Sequence, residues 1–171
     1  MQLPQQADWP IFKEIFAERD RGAALIAAGF LDRKLTDALE TCLRDDKEAT
    51  NRMFKPSGPL GGTFNKALLG YTLGLFRKET LKDIEVIGEI RNRFAHHPDP
   101  IDFASTYIRE RVARLGLFDR VWGLIPAPEA RPPKPEKPRD LYLETISLAA
   151  NWLHHQATHP GIFRNRDDLP F

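Results

Sequence analysis

Apolar residues recur every three or four positions along most of this chain, which is the spacing of an amphipathic α-helix. No stretch shows a strand-like alternation that competes with this pattern, so the sequence predicts an all-α fold of about six helices. The predicted helices are Ile11–Arg19, about Gly22–Thr50, one beginning at Thr63, one from Glu79 or Thr80 to Ala95, Phe103–Leu117 and about Leu141–His155.

Each of these helices has an apolar stripe that we expect to face the core. The stripe of the third helix is Phe64, Leu68, Tyr71 and Leu75, and that of the fourth is Leu81, Ile84, Ile87, Ile90 and Phe94. A loop rich in glycine and proline, Phe54–Gly62, precedes the third helix. This loop lacks the Lys-Ser/Thr ending of a phosphate-binding P-loop, so it is interpreted as a tight turn, with Lys66 exposed on the helix that follows.

A proline-rich segment, residues 126–138, lies before the last helix. Its composition is typical of an extended, polyproline-like strap and not of a second domain. At 171 residues the chain has the length of one domain. We therefore expect a helical core over residues 1–125, the strap over 126–138, and a C-terminal helix and tail over 139–171 that pack on the same domain.

Composition excludes several classes of protein. Lys and Arg number 25 against 24 Asp and Glu, which argues against a protein that binds nucleic acid over most of its surface. A local basic patch is still compatible with this balance. The single cysteine, Cys42, forms no internal disulfide and indicates a reducing compartment. No run approaches the roughly 20 apolar residues of a membrane span, and the N-terminus lacks the features of a signal peptide. We expect a cytoplasmic protein that does not enter a membrane.

Three chemically versatile residues, Arg91, Asn92 and His96, lie within two turns at the end of the fourth predicted helix. Arginine carries a fixed charge, asparagine both donates and accepts hydrogen bonds, and histidine moves a proton near neutral pH. Together they could bind or cleave a phosphodiester, or they could hold two helices in register. Arg91 lies at the edge of the apolar arc and therefore needs a partner, for which Asp32 is a better candidate than Asp37.

Segments spread over much of the chain resemble the mannitol operon repressor family, across roughly residues 18–118. They are Gly58–Lys66 (GPLGGTFNK), Tyr71–Leu75 (YTLGL), Ile87–His96 (IGEIRNRFAH), Asp20–Leu25 (DRGAAL) and Phe30–Asp32 (FLD). The resemblance implies an all-helical protein, expected to be a homodimer, without a recognisable DNA-binding motif. Such a protein would influence transcription through a protein partner, and direct reading of a DNA sequence is not expected.

Arg91 and His96, with Asn92 directly after the arginine, also match the Arg-x4-6-His signature of HEPN domains. That resemblance implies an all-α unit, often dimeric, and in many members a metal-independent ribonuclease. His96 would then move the protons, Arg91 would neutralise the phosphorane and Asn92 would position the phosphate. Because one motif supplies one histidine, acid and base together would require two motifs that face each other across a dimer. Other members of that superfamily bind without cleaving.

The remaining candidates are weaker. His155 and His159 have the spacing of a metal pair, with His154 adjacent, but no acidic third ligand follows from the sequence, so we predict neither a metal nor a cofactor. The leading prediction is a non-enzymatic, transcription-regulator-like binding protein whose functional residues are Asp32, Arg91, Asn92 and His96. The alternative is a HEPN-type ribonuclease, or an RNA-binding toxin or defence component, that uses the same motif.

Overall fold

The computed structural model of the protein describes residues 10–126, 129, 131 and 133–159, and its regular secondary structure there is entirely helical. Its helices are α1 (Pro10–Ala17), α2 (Asp20–Glu40), α3 (Lys47–Phe54), α4 (Thr63–Thr72), α5 (Lys78–His96), α6 (Thr106–Val112), α7 (Leu117–Gly123) and α8 (Pro138–Thr158). The all-α prediction is confirmed, with two more helices in this part of the chain than the six expected. The predicted N-terminal segment before Pro10 and the tail after His159 lie outside the described residues.

The long second helix predicted over Gly22–Thr50 is wrong at its C-terminal end, because the chain forms two helices there. The first, α2, ends at Glu40, and the Thr41 hydroxyl donates to the carbonyl of Ala38. The second, α3, begins after Asp46, whose carboxylate accepts a 3.0 Å hydrogen bond from the amide of Ala49. An N-cap of this kind starts a new helix by pairing an amide that has no partner inside the helix.

The central helix is α2, which packs against α1, α4, α5 and α8. Its alanine-rich first half allows close contact with α8, where the hydroxyl of Tyr142 donates to the carbonyl of Ala24 at 3.2 Å in the buried core. The first turn of α8 is held by Arg139, which pairs with Asp20 at 2.7 Å and donates to the carbonyl of Glu18. These contacts fix α8 across the junction of α1 and α2.

The predicted orientation of α4 is wrong for most of its stripe. Phe64, Leu68 and Tyr71 are 57%, 43% and 37% exposed, whereas Lys66, Ala67 and Gly70 form the buried side. The fourth predicted stripe residue, Leu75, is buried but lies beyond the end of α4. Small residues face the core because the helix approaches it closely: a Cβ on Gly70 would lie 2.9 Å from the ring of Phe76.

The prediction for the inward face of α5 is confirmed, since Leu81, Ile84, Ile87, Ile90 and Phe94 are all buried. The helix predicted over Phe103–Leu117 is too long at both ends, because α6 spans only Thr106–Val112, and a separate helix, α7, begins at Leu117. Asp83, buried on α5, stabilises the turn between them by accepting a 2.9 Å hydrogen bond from the amide of Gly116 and pairing with Arg120 at 2.6 Å.

Within the predicted proline-rich strap, Lys134 forms a 2.7 Å ion pair with Asp119 of α7. Arg131 donates to the carbonyl of Ile125 from two of its nitrogens. Pro138 then occupies the start of α8, where its fixed φ and missing amide hydrogen suit the first turn of a helix. In the described part of the chain, no helix is both long and apolar enough to cross a membrane.

Candidate functional site

The Arg91–Asn92–His96 motif occupies the last two turns of α5, and all three side chains are exposed. The guanidinium of Arg91 donates a 3.0 Å hydrogen bond to the side-chain oxygen of the neighbouring Asn92. The expectation that Arg91 is constrained by the core is therefore wrong. Ile90 and Phe94 fill the buried face between them, and a long arginine at the edge of that face can extend its charge into solvent.

Asp32 does not pair with Arg91, as the sequence had suggested. Its carboxylate accepts a 2.7 Å hydrogen bond from the hydroxyl of Thr63 and forms a 2.6 Å ion pair with Lys66. Lys66, predicted to be exposed, is only 4% exposed, because the small-residue side of α4 carries it into the contact with α2. The ion pair offsets the cost of burying the ammonium and holds the beginning of α4 against α2.

A cleft of about 760 Å³ lies between α2, α4 and α5. Its residues include Leu31 and Ile84 from the core and the polar side chains of Asp32, Arg91 and Asn92. The structure thus brings three of the four predicted site residues to one cleft. Phe64, at the exposed start of α4, lines the same cleft. The cleft is therefore continuous with the apolar stripe on α4.

His96 lies instead in a neighbouring hollow of about 400 Å³, which it shares with Asn92, Arg93 and Tyr107. The ring of Tyr107 has two guanidinium groups close to its centre, with Arg93 at 4.9 Å and Arg111 at 3.6 Å. Cations over an aromatic face are attracted by its quadrupole. The hollow therefore combines an exposed imidazole, an amide and positive charge with the carboxylate of Glu89, and both Glu89 and Asn92 also line the cleft.

Sequence reasoning missed Arg21, which fixes the end of the helix that carries the motif. From α2, this arginine donates hydrogen bonds to the carbonyls of His97 at 3.0 Å and Asp99 at 2.9 Å. A cation at a helix C-terminus pairs carbonyls that have no partner within the helix and complements the helix dipole. The residues around Arg21 do not indicate this role, because the carbonyls that accept its hydrogen bonds are more than 70 positions away in the sequence.

His154, His155 and His159 lie at the end of α8, and within the described part of the chain no group of three histidine, cysteine, aspartate or glutamate side chains is placed to hold a metal ion. The rings of His155 and His159 stack at 4.5 Å. Burial lowers the pKa of His155 below its ordinary value of 6.5, and the charges of His159 and His154 lower it further.

This depressed pKa predicts a pH-dependent loss of stability. Because the unfolded chain binds a proton at His155 more readily than the folded chain, protonation of His155 favours unfolding. The free energy of unfolding therefore keeps its full value above about pH 6.5 and falls as the pH falls towards the folded-state pKa. Urea unfolding between pH 7.5 and pH 5.5 should show a decline in the free energy of unfolding that is shallower in His155→Gln. An unchanged slope in that variant would contradict the assignment.

Neither a protein-family model nor a curated protein matches the sequence. Among solved structures, the chain is similar to one described as the X-ray structure of the MtlR–HPr complex from Escherichia coli, with a TM-score of 0.64 and 16% identity. The match covers 84% of this chain and 95% of the other. At this identity the likeness concerns the fold alone, which is similar to that of MtlR in the complex.

Proposed function

We propose that this protein is a non-enzymatic, transcription-regulator-like binding protein that acts through a protein partner. The observation that carries the proposal is the exposed apolar stripe of α4, formed by Phe64, Leu68 and Tyr71. Large apolar side chains grouped on one solvent-facing helix are typical of a surface that another molecule covers. The solved structure of similar fold contains MtlR together with HPr, which supports partner binding as the use of such a fold.

The stripe has the features of an interface core. Aromatic residues are enriched where protein partners meet, and polar residues surround them. Leu68 lies between Phe64 and Tyr71 along the helix, and Asn92 borders the adjoining cleft as a polar neighbour. The ion pair between the buried Lys66 and the partly exposed Asp32 fixes the beginning of α4, so that the stripe is held in place before a partner arrives.

The test compares two leucines of equal exposure. Leu68 in the stripe and Leu124 after α7 are each 43% exposed, so an aspartate at either position changes the surface to a similar degree. We expect Leu68→Asp to weaken partner binding by about tenfold or more, and Leu124→Asp to leave it unchanged. Partners would be captured by cross-linking in cells and their affinities measured by calorimetry with purified protein, beginning with HPr.

Two results would overturn the proposal. One is that the wild-type protein retains no partner that can be reconstituted from purified components. The other is that such a partner binds the two aspartate variants equally well, which would remove the role of the α4 stripe.

A second candidate is a metal-independent ribonuclease, favoured by the exposure of Asn92 and His96 in one hollow with Arg93. An RNA 2′-hydroxyl oxygen would attack the adjacent phosphorus, the bond to the 5′-oxygen would break, and the products would carry 2′,3′-cyclic phosphate and 5′-hydroxyl ends. Incubation with labelled single-stranded RNA in excess EDTA tests this reading. Cleavage that is lost in folded His96→Ala and Arg91→Ala, but retained in His97→Ala, would favour the ribonuclease over the regulator.

A further inference from the structure

We propose that the cleft between α2, α4 and α5 binds a small organic acid. The carboxylate of this ligand pairs with Arg91 and Asn92, and its apolar body lies on the floor of the cleft. The inference does not depend on the proposed function, because Leu68 and Tyr71 of the α4 stripe do not line the cleft.

The cleft has the size and the lining of a small-molecule site. Its volume of about 760 Å³ lies within the range of roughly 300–1,000 Å³ that is usual for ligand pockets. Leu31, Ile84 and Ile87 line it and are buried, so they form an apolar floor. A floor of this kind favours a ligand with an apolar body, because both surfaces leave water when they meet.

Glycines keep the cleft open on each of the three helices. Gly29 lies within α2, Gly62 at the start of α4 and Gly88 within α5, and all three line the cleft. A Cβ on any of them would meet no neighbouring atom within 4 Å. Glycine inside a helix is less favourable than alanine, and packing within the chain gives no reason for it at Gly29 or Gly88. A ligand that occupies this space supplies the reason.

Hydrogen-bond donors at the cleft favour a carboxylate. Arg91 donates to the side-chain oxygen of Asn92 at 3.0 Å, which leaves the amide hydrogens of Asn92 and the other guanidinium hydrogens as donors. A planar guanidinium can hold a carboxylate through two parallel hydrogen bonds. The beginning of α4, which no side chain caps, lines the same cleft and adds the positive end of a helix dipole.

The acidic residues of the cleft favour a ligand with a single negative charge. Asp32 pairs with Lys66 at 2.6 Å, and Glu89 pairs with Arg111 at 3.2 Å. Glu85 also lines the cleft, and among the described residues no cation pairs with it. Its carboxylate repels a second negative charge on the ligand. A carboxylate is therefore favoured over a phosphate monoester, which carries close to two charges at neutral pH.

The test is a titration of the full chain with 4-phenylbutyrate, a carboxylate with an aromatic body, followed by ¹H–¹⁵N NMR. We expect the amide signals of Gly29, Gly62 and Gly88 to shift until they saturate, and those of Gly116 and Gly123 to stay unchanged. The uncharged 4-phenylbutanol and the cationic 4-phenylbutylamine should bind about tenfold more weakly or less, because neither can pair with the guanidinium. The doubly charged 3-phenylpropyl phosphate should also bind more weakly than the carboxylate.

Two pairs of variants locate the site. Arg91→Met removes the charge and should weaken binding of 4-phenylbutyrate by about tenfold or more, whereas Arg93→Met, in the neighbouring hollow, should bind as the wild type does. Gly88→Leu should fill the cleft and abolish the saturable shifts, but Gly123→Leu, where a Cβ also has open space, should not. Leu68→Asp should still bind the acid, which separates this test from that of the proposed function.

Three results would overturn the proposal. The first is that 4-phenylbutyrate causes no saturable shift at the three glycines of the cleft, or that the alcohol or the amine binds as tightly as the acid. The second is that the phosphate binds more tightly than the carboxylate, which would favour a phosphodiester ligand. The third is that Arg91→Met or Gly88→Leu, with helical circular dichroism unchanged, binds the acid as tightly as the wild type.

Discussion

Replacement of Asp32 with alanine should lower the free energy of unfolding by about 3 kcal/mol. The variant leaves the ammonium of Lys66, which is only 4% exposed, without the carboxylate that lies 2.6 Å away. It also removes the acceptor of the Thr63 hydroxyl. A buried charge that loses its partner retains its desolvation penalty, so the effect should be far larger than that of a surface ion pair.

Urea unfolding followed by far-UV circular dichroism measures this effect, and Asp37→Ala on the same helix is the matched control. Asp37 pairs with Arg33 at 2.8 Å, but the side chain of Arg33 is 72% exposed, so we expect a loss of about 0.5 kcal/mol. Adding Lys66→Met to Asp32→Ala should recover much of the lost stability, because it removes the unpaired charge. Equal losses in Asp32→Ala and Asp37→Ala would contradict the conclusion that Asp32 neutralises the buried charge of Lys66.

Trp152→Ala should lower the free energy of unfolding by about 4 kcal/mol. The indole is 2% exposed, and its nitrogen donates a 2.7 Å hydrogen bond to the carbonyl of Leu75 in the segment between α4 and α5. Truncation therefore leaves a cavity and also an unpaired carbonyl in the core.

Two further tryptophan variants test the contributions of the hydrogen bond and of burial to this loss of stability. Trp152→Phe keeps most of the volume and removes the hydrogen bond, so it should lose about 1–2 kcal/mol. Trp122→Ala should also lose less than Trp152→Ala, because Trp122 is only partly buried, although it stacks on Phe118 at 4.1 Å. A loss in Trp152→Ala no greater than in Trp122→Ala would show that the indole of Trp152 is not a core contact.

These two contacts also position the proposed partner surface. Asp32 holds the beginning of α4 through Thr63 and Lys66, and Trp152 holds the chain just after its end at Leu75. Between them the exposed stripe of α4 lies on a helix that is fixed near both termini. Variants of Asp32 and Trp152 should therefore weaken partner binding indirectly, whereas Leu68→Asp should weaken it without a comparable loss of stability.

The sequence was sufficient to predict which face of α5 is buried, because the apolar residues of this helix are large and all lie on one side. Ile84, Ile87 and Ile90 leave no alternative buried face. The pattern did not show, however, that Arg91 at the edge of that face is exposed and donates to Asn92 instead of pairing with Asp32. Helix α4 was ambiguous, since one side carries Phe64 and Leu68 and the other carries Ala67 and Gly70. Periodicity favours the larger side chains for the core, and that choice was wrong.

By itself, the sequence determined the all-α class, the inward face of α5 and the location of Arg91, Asn92 and His96 at its end. These features follow from the spacing of side chains along one helix, which is a local property. Only the tertiary structure decided that Asp32 pairs with Lys66, that Arg21 binds the end of α5, and that α4 exposes its apolar stripe. Each of these depends on how closely two helices approach, and that distance is set by packing between segments far apart in the chain.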